Sequence, residues 1–358
     1  MQCFMSCFFQ PLRVGVVATL LSLSTQIARA DEGGVSFWIP GFFGSLAAVP
    51  AQAPGWSVTT IYYHDSVSAG GNVALARQFE IRTVPVNLTA SFTGNVNASV
   101  NLDLFAATYT FATPVLGAQA SFSLLSVYGA NSTSLAGTLA GTLAGPLGGT
   151  VPFSRSDGIT STIVAFGDVL PMFQLKWNAG VNNFMTYITG DMPAGAYDSA
   201  RLANIGIGHW AVDVGGGYTY FDPTTGHEAS AVLGFTYNFI NPSTQYQNGV
   251  DMHLDWGVSQ FLTKQVQVGL VGYLYQEIGC DSGSGDRVGC FQSRTVGIGP
   301  QFGYIFPIGG KLQGYFNIKA YGEFDAANRP SGWNLWLTFN LSPAAATPPT
   351  SSRPMFTK

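Results

Sequence analysis

The sequence predicts an all-β protein: a transmembrane antiparallel β-barrel of 12 strands, with 14 as the alternative, and long extracellular loops. Three observations carry the prediction. First, residues 210–239, WAVDVGGGYTYFDPTTGHEASAVLGFTYNF, form two runs about a turn of favoured turn residues, Asp222-Pro223-Thr224-Thr225-Gly226. Each run alternates apolar and polar positions with a period of two. Each is also long enough to cross a hydrocarbon layer at a tilt, which takes about 9–11 residues. Second, only 9% of the 358 residues are charged while 46% are hydrophobic; globular domains carry about 25% charged residues. Beyond residue 30 no uninterrupted apolar run reaches about 18 residues, so spanning helices are not expected and a closed barrel is the structure left. Third, tight turns and long loops alternate along the chain, as the two rims of an outer-membrane barrel require.

In order, residues 1–30 read as a secretory signal, with Arg13, an apolar core at 14–23 and the small-x-small site Ala28-Arg29-Ala30. Cys3 and Cys7 leave with it. Residues 31–54 are apolar but interrupted by Pro40, Pro50 and Pro54, which suits a plug or lining better than a membrane strand. There Phe37, Trp38, Phe42 and Phe43 are expected to pack against the barrel interior. The barrel proper covers residues 55–342. Its strands are expected near 55–66, 95–108, 119–128, 163–177, 182–191, the hairpin 210–239, 251–261, 266–278, 294–306, 312–324 and 333–341. Residues 84–92 also alternate and are assigned to an extended extracellular hairpin with the start of the following strand. Residues 129–162 contain SLAG, TLAG, TLAG, PLGG, read as a flexible or inward-folded extracellular loop. The Pro-, Thr- and Ala-rich tail 343–358 is expected to be disordered.

In the hairpin, Val212, Val214, Leu233 and Phe235 belong to the lipid face, while Asp213, Glu228 and Thr236 belong to the lumen face. A charge introduced at Thr236 is therefore expected to stay hydrated. Val232 is the one apolar residue on the polar side. Asp251, His253 and Asp255 stand two apart and face the lumen together, opposite Met252, Leu254 and Trp256. Such a trio can form half of an acid–base site or a network bracing the wall. Tyr315, Asn317, Lys319, Tyr321 and Glu323 make a second lumen-lining row, where Lys319 and Glu323 are expected to join charges buried inside the barrel. Cys280 and Cys290 lie close together in a loop of an exported chain, which favours a disulfide staple. No catalytic residue, metal site or cofactor is indicated; the lookalike Asp281-Ser282-Gly283-Ser284-Gly285 lacks the first glycine of a nucleophile elbow.

The net charge of −4 gives no basic footprint for nucleic acid. The inward faces are mostly Ser, Thr, Asn, Gln, Gly and Tyr, unlike the charged rings of an ion-selecting pore. Expected partners are outer-membrane lipid and small apolar or aromatic molecules, in the outer membrane of a Gram-negative bacterium. The sequence sets no oligomeric state. The competing classes are an outer-membrane lipid-modifying enzyme, with His253 and Asp251 or Asp255 as its local pair, and a non-transporting structural barrel.

Long specific runs carry a resemblance over nearly all of the mature chain. They include GGVSFWIPGFFGSLAAVP, GDVLPMFQLKW, NNFMTYITGDMPAGAYDSARLANIGIGH and EFDAANRPSGWNLWLTF. The sequence resembles the outer-membrane family labelled as the meta-pathway phenol degradation protein. The resemblance implies a transporter-like barrel for apolar or aromatic compounds, associated with catabolic enzymes, and brings no catalytic residues. It departs from common outer-membrane barrels in having a tail after Phe339 and Leu341.

Overall fold

In a computed structural model, which describes residues 37–70, 90–144, 150–286, 289–290 and 292–344, period-two alternation becomes a closed antiparallel barrel. The strands are β1 (Gly55–Gly70), β2 (Ala90–Thr110), β3 (Gln119–Ala144), β4 (Thr150–Ala179), β5 (Asn182–Asp191) and β6 (Ala211–Asp222). They continue with β7 (His227–Asn238), β8 (Asp251–Phe261), β9 (Val266–Glu277), β10 (Arg294–Ile308), β11 (Leu312–Ala327) and β12 (Ser331–Pro343). Each strand pairs with its sequence neighbours, and β1 closes on β12 from Val58↔Leu341 to Ser68↔Ser331. Closure leaves no unpaired edge, the condition for an open-faced sheet to survive in hydrocarbon. Among the described residues no helix is long and apolar enough to cross a membrane.

The outer face is the apolar one. Val212, Val214, Leu233 and Phe235 all point outward and are exposed, while Asp213, Glu228 and Thr236 are buried inside. Aromatic residues collect near both rims: Trp56, Tyr109, Phe184 and Tyr218 by the short turns, and Phe166, Trp210, Tyr237 and Trp333 by the long loops. That is the girdle of a membrane barrel, with the short-turn rim periplasmic. The turns hold their shape through glycines at positive φ, Gly180 at 70° and Gly226 at 76°. Asp222 helps at the second by accepting the Thr224 N–H at 2.8 Å.

Three expectations change. The Gly-containing repeat does not form a loop: residues 134–144 extend β3, which pairs with β4 from Gln119↔Lys176 to Ala144↔Thr150. A period of four is twice the strand period, so a strand can carry the repeat without losing register. Residues 90–92 likewise belong to β2, pairing with 139–141; residues 84–89 lie outside the described residues. The wall formed by β2, β3 and β4 thus runs well past the membrane. Third, Thr236 is 0% exposed and donates to Asp213 at 2.6 Å, so a charge placed there would be buried in a polar network rather than hydrated. The expected signal at 1–30 and the tail from 345 lie outside the described residues.

The loop between β9 and β10 is closed by the Cys280–Cys290 disulfide, whose Cα atoms are 4.6 Å apart. It also pairs with the preceding loop, Gln247 and Ser282 exchanging backbone hydrogen bonds at 2.9 Å. Closing so short a loop contributes about 2–3 kcal/mol in the chain-entropy treatment. Thiol labelling of folded, unreduced protein should find neither cysteine free. Labelling of both would contradict the staple.

Candidate functional site

Residues 37–54 run down the inside of the barrel, touching strands from β3 round to β12. Tight approach requires glycine at Gly41: φ is +89°, and a Cβ would stand 3.1 Å from the Tyr321 ring. The backbone just beyond is clamped between two opposite charges. Asp255 of β8 accepts the N–H groups of Gly41 at 2.9 Å and Phe43 at 3.1 Å. Lys319 of β11 donates to the carbonyls of Gly41, Phe42 and Phe43, and its ammonium lies 5.0 Å from the centre of the Trp336 ring. Lower down, the Leu46 N–H reaches Glu228 at 2.9 Å and the Ala48 N–H reaches Thr219 at 3.1 Å. Ala51 and Gln119 exchange two hydrogen bonds at the periplasmic rim. A segment of turns without a sheet partner thus has its backbone groups satisfied by the wall and by its own turns, where the Phe42 N–H donates to the Ile39 carbonyl at 3.2 Å and the Val49 N–H to the Leu46 carbonyl at 3.0 Å.

The two rows singled out from sequence fall on this interior, in roles that periodicity alone could not assign. Asp251, His253 and Asp255 share one buried face of β8, yet none bonds another. Asp251 accepts from Asn238 at 2.9 Å. His253 pairs with Asp213 of β6 at 2.9 Å, with the Tyr187 hydroxyl at 3.4 Å. The Trp38 ring lies flat over the imidazole, centroids 3.7 Å apart and planes 12° from parallel. Asn317 donates to the Phe302 carbonyl at 3.0 Å, and Tyr321 to the Gly41 carbonyl at 3.5 Å. Tyr315 is partly buried on the same row. Glu323 does not pair with Lys319; it accepts from Tyr273 at 2.8 Å and from the Gly332 N–H at 3.0 Å. Backbone carbonyls take the place of the carboxylate because the internal segment lies nearest to Lys319. Val232 packs with Phe37, Trp38 and Tyr187, which explains an apolar residue on the inner face.

The clamps hold the segment against β8–β12. Its aromatic side faces β1–β5 across a cavity of about 220 Å³. Phe37, Trp38 and Ile39 line one side; Val96, Leu102, Val127 and Leu170 line the other. The loop 192–209 folds inward to close it, bringing Asn204, Ile205 and Ile207. Asp168 holds that loop by accepting the N–H groups of Gly195 and Ile207, both at 2.7 Å. Asn131 donates to the Asn204 carbonyl at 2.8 Å. Two glycines make the approach possible: a Cβ on Gly195 would fall 2.4 Å from Gly167 backbone. Asp65, Asp168, Asp191 and Arg329 give the largely apolar cavity its charged groups, beside the neutral polar Asn131, Thr133 and Asn204. Sequence reasoning missed these four, and the only trace was Gly167-Asp168, where the β3–β4 register shifts and turns both residues inward. Among the described residues no group of His, Cys, Asp or Glu is placed to hold a metal ion.

Lipid-facing strands, aromatic girdles and a clamped internal segment define an outer-membrane β-barrel of a Gram-negative bacterium. The chain belongs to the family described as putative MetA-pathway of phenol degradation, which matches residues 66–339. Among solved structures it is similar to an outer membrane channel from Pseudomonas putida F1. That likeness has a TM-score of 0.59 at 13% identity, over 82% of this chain and 97% of that one. A FadL homologue from Pseudomonas aeruginosa overlaps more loosely, with a TM-score of 0.35 at 8% identity, over 82% and 90% of the two chains. No curated protein matches the sequence.

Proposed function

We propose that the protein is a channel passing small apolar or aromatic molecules across the outer membrane, in the service of aromatic catabolism. The observation that carries this is the cavity of about 220 Å³ between the internal segment and β1–β5. It is walled by aliphatic and aromatic side chains and edged by a few carboxylates and one guanidinium. An engineered apolar cavity of ~150 Å³ already takes benzene, so this one has room for a substituted ring, and its polar groups suit a phenolic hydroxyl. The family's description, which names phenol degradation, agrees with that chemistry. So does the similar Pseudomonas putida barrel, itself described as a channel.

The reading is of a channel without enzyme activity. His253 has Asp213 as its partner, but Trp38 covers its ring, so a substrate has no approach to that imidazole. The lumen rows Asp251, His253, Asp255, Tyr315, Asn317, Lys319, Tyr321 and Glu323 are assigned to positioning residues 37–54 and bracing the wall.

Uptake by intact cells tests the proposal, because their lipopolysaccharide leaflet slows apolar solutes. Cells carrying the protein should accumulate labelled phenol or toluene several-fold faster than cells lacking it. A hexose should show no difference, and a long-chain fatty acid at most a small one. Equal uptake of the aromatic solute with and without the barrel would contradict it.

A further inference from the structure

The lumen cavity holds polar atoms that nothing in the fold satisfies. Asp65 Oδ1, Asp191 Oδ1 and the Nε and Nη1 of Arg329 are buried without a hydrogen-bond partner, and all three residues line this one space. Native proteins leave few such atoms, because each has given up water for nothing. The other carboxylates nearby are spent. Asp168 gives its two oxygens to the loop 192–209, and Glu323 gives its two to Tyr273 and Gly332.

The fold brings an open donor and an open acceptor to the same side of the cavity. Asp65 stands on β1, opposite Asn334 of β12 and Val100 of β2. Arg329 belongs to the turn that leads from β11 into β12, so it enters from the strand next to Asp65. Its guanidinium carbon lies 4.9 Å from the centre of the Tyr275 ring. Asn328 ties the turn down by donating to the Gln292 carbonyl at 2.9 Å, and Pro330 stiffens its other side. Glu323 and Arg329 are the charged groups that act on Asp65. Those acting on Asp191 are a second carboxylate, Asp168, and His209, whose Nδ1 is paired with the Trp210 carbonyl at 3.0 Å. The open guanidinium is therefore the partner of Asp65. Open N–H groups beside an open carboxylate oxygen are complementary to a group that both accepts and donates, and a hydroxyl does both. A methyl group does neither. A carboxylate would accept from Arg329, but it has no hydrogen for Asp65 and sets a second negative charge against it. An ammonium has the converse conflict with Arg329.

We infer that Asp65 and Arg329 form a recognition site for the neutral hydroxyl of a phenol, so that the barrel favours phenols over aromatic hydrocarbons and aromatic carboxylates of the same size. The inference rests on the channel reading above and narrows its substrate class. The hydroxyl donates to Asp65 Oδ1 and its oxygen accepts from Arg329, while the ring lies against Val67, Val96, Val100 and Leu102. A site built this way rejects an analogue without the hydroxyl, because its own buried polar groups are then left unpaired.

The test uses three solutes of matched shape: p-cresol, p-xylene and p-toluate, which carry a hydroxyl, a methyl and a carboxylate on the same ring. Uptake is measured at neutral pH in cells with and without the barrel, and the difference is the barrel's share. For wild type that share should be several-fold larger for p-cresol than for p-xylene, and absent for p-toluate. Arg329→Met should bring p-cresol down to the level of p-xylene and leave p-xylene unchanged. The double variant Arg329→Met with Asp65→Val removes both charges together, so neither is left alone in the cavity. It should assemble even where the single variant does not, and it should pass p-xylene at least as fast as p-cresol. Arg294→Gln, which removes a cation paired with Asp325 outside the cavity, should behave as wild type. Equal shares for p-cresol and p-xylene in wild type, a share for p-toluate as large as that for p-cresol, or a p-cresol preference that survives in the double variant would overturn the hydroxyl site while leaving the channel standing. Uptake of p-cresol and p-xylene no faster than in cells lacking the barrel would overturn the channel and the site with it.

Discussion

Replacing Asp255 with alanine should release residues 37–54 from the wall and raise the ion conductance of the barrel. The carboxylate accepts two buried N–H groups, from Gly41 and Phe43, and balances the buried ammonium of Lys319 on the far side of the same backbone. Removing one member of a buried charged arrangement costs about 3–5 kcal/mol, because the remaining partners stay buried without compensation. The barrel itself has its complete ladder and should survive. The loss should therefore appear as displacement of the segment, read as a several-fold rise in single-channel ion conductance. Lys319→Met should change conductance in the same direction, since it strands three carbonyls. Unchanged conductance in both variants would mean that the clamp does not hold the segment.

The second large effect concerns the lipid face. Arginine at Val214 or Leu233 should cost about 2–4 kcal/mol, the penalty for a cation on the outer face of a membrane barrel near its midplane. Val214 is 47% exposed and Leu233 42%, both pointing away from the interior, so in water such a substitution would cost almost nothing. That contrast makes the experiment informative. Unfolding from lipid vesicles should show the penalty. Nitroxide labels at the two positions should be reached by oxygen dissolved in lipid and shielded from a water-soluble relaxer. A label at Thr236 should be shielded from both, because that position lies within the Asp213–His253 network. Strong access of the water-soluble reagent at Val214 and Leu233 would contradict the membrane assignment.

How much of this was legible in the sequence follows from what period-two patterning encodes. It reports which side of a strand faces lipid, so the strands, their order and the outward set including Val214 and Leu233 were readable. Turn chemistry at Gly180 and Gly226 supplied the rest of the topology. Patterning does not report which inward residues meet across the lumen. Gly41 and Asp255 are 214 residues apart in sequence, and the pairing of His253 with Asp213 rather than with Asp251 or Asp255 depends on how the barrel closes. The Leu/Gly repeat at 134–144 misled because glycine usually signals a loop, whereas here the backbone runs on as a long strand paired with β4. The cavity was hidden for a further reason. It exists only because the loop 192–209 folds inward over Gly167, and its apolar residues, Leu202, Ile205 and Ile207 among them, follow no strand period that would show which way they turn.

The central claim is that an aromatic solute occupies the space between the internal segment and β1–β5. Diffraction from crystals of the barrel soaked in 4-bromophenol tests it directly, because bromine scatters anomalously and marks its own position. A bromine peak is expected between Trp38 and Leu170, beside Val127 and Ile205, and it should weaken when unlabelled phenol competes. Bromine found only in the detergent belt or at the outer surface, with the cavity empty at saturating ligand, would contradict the account.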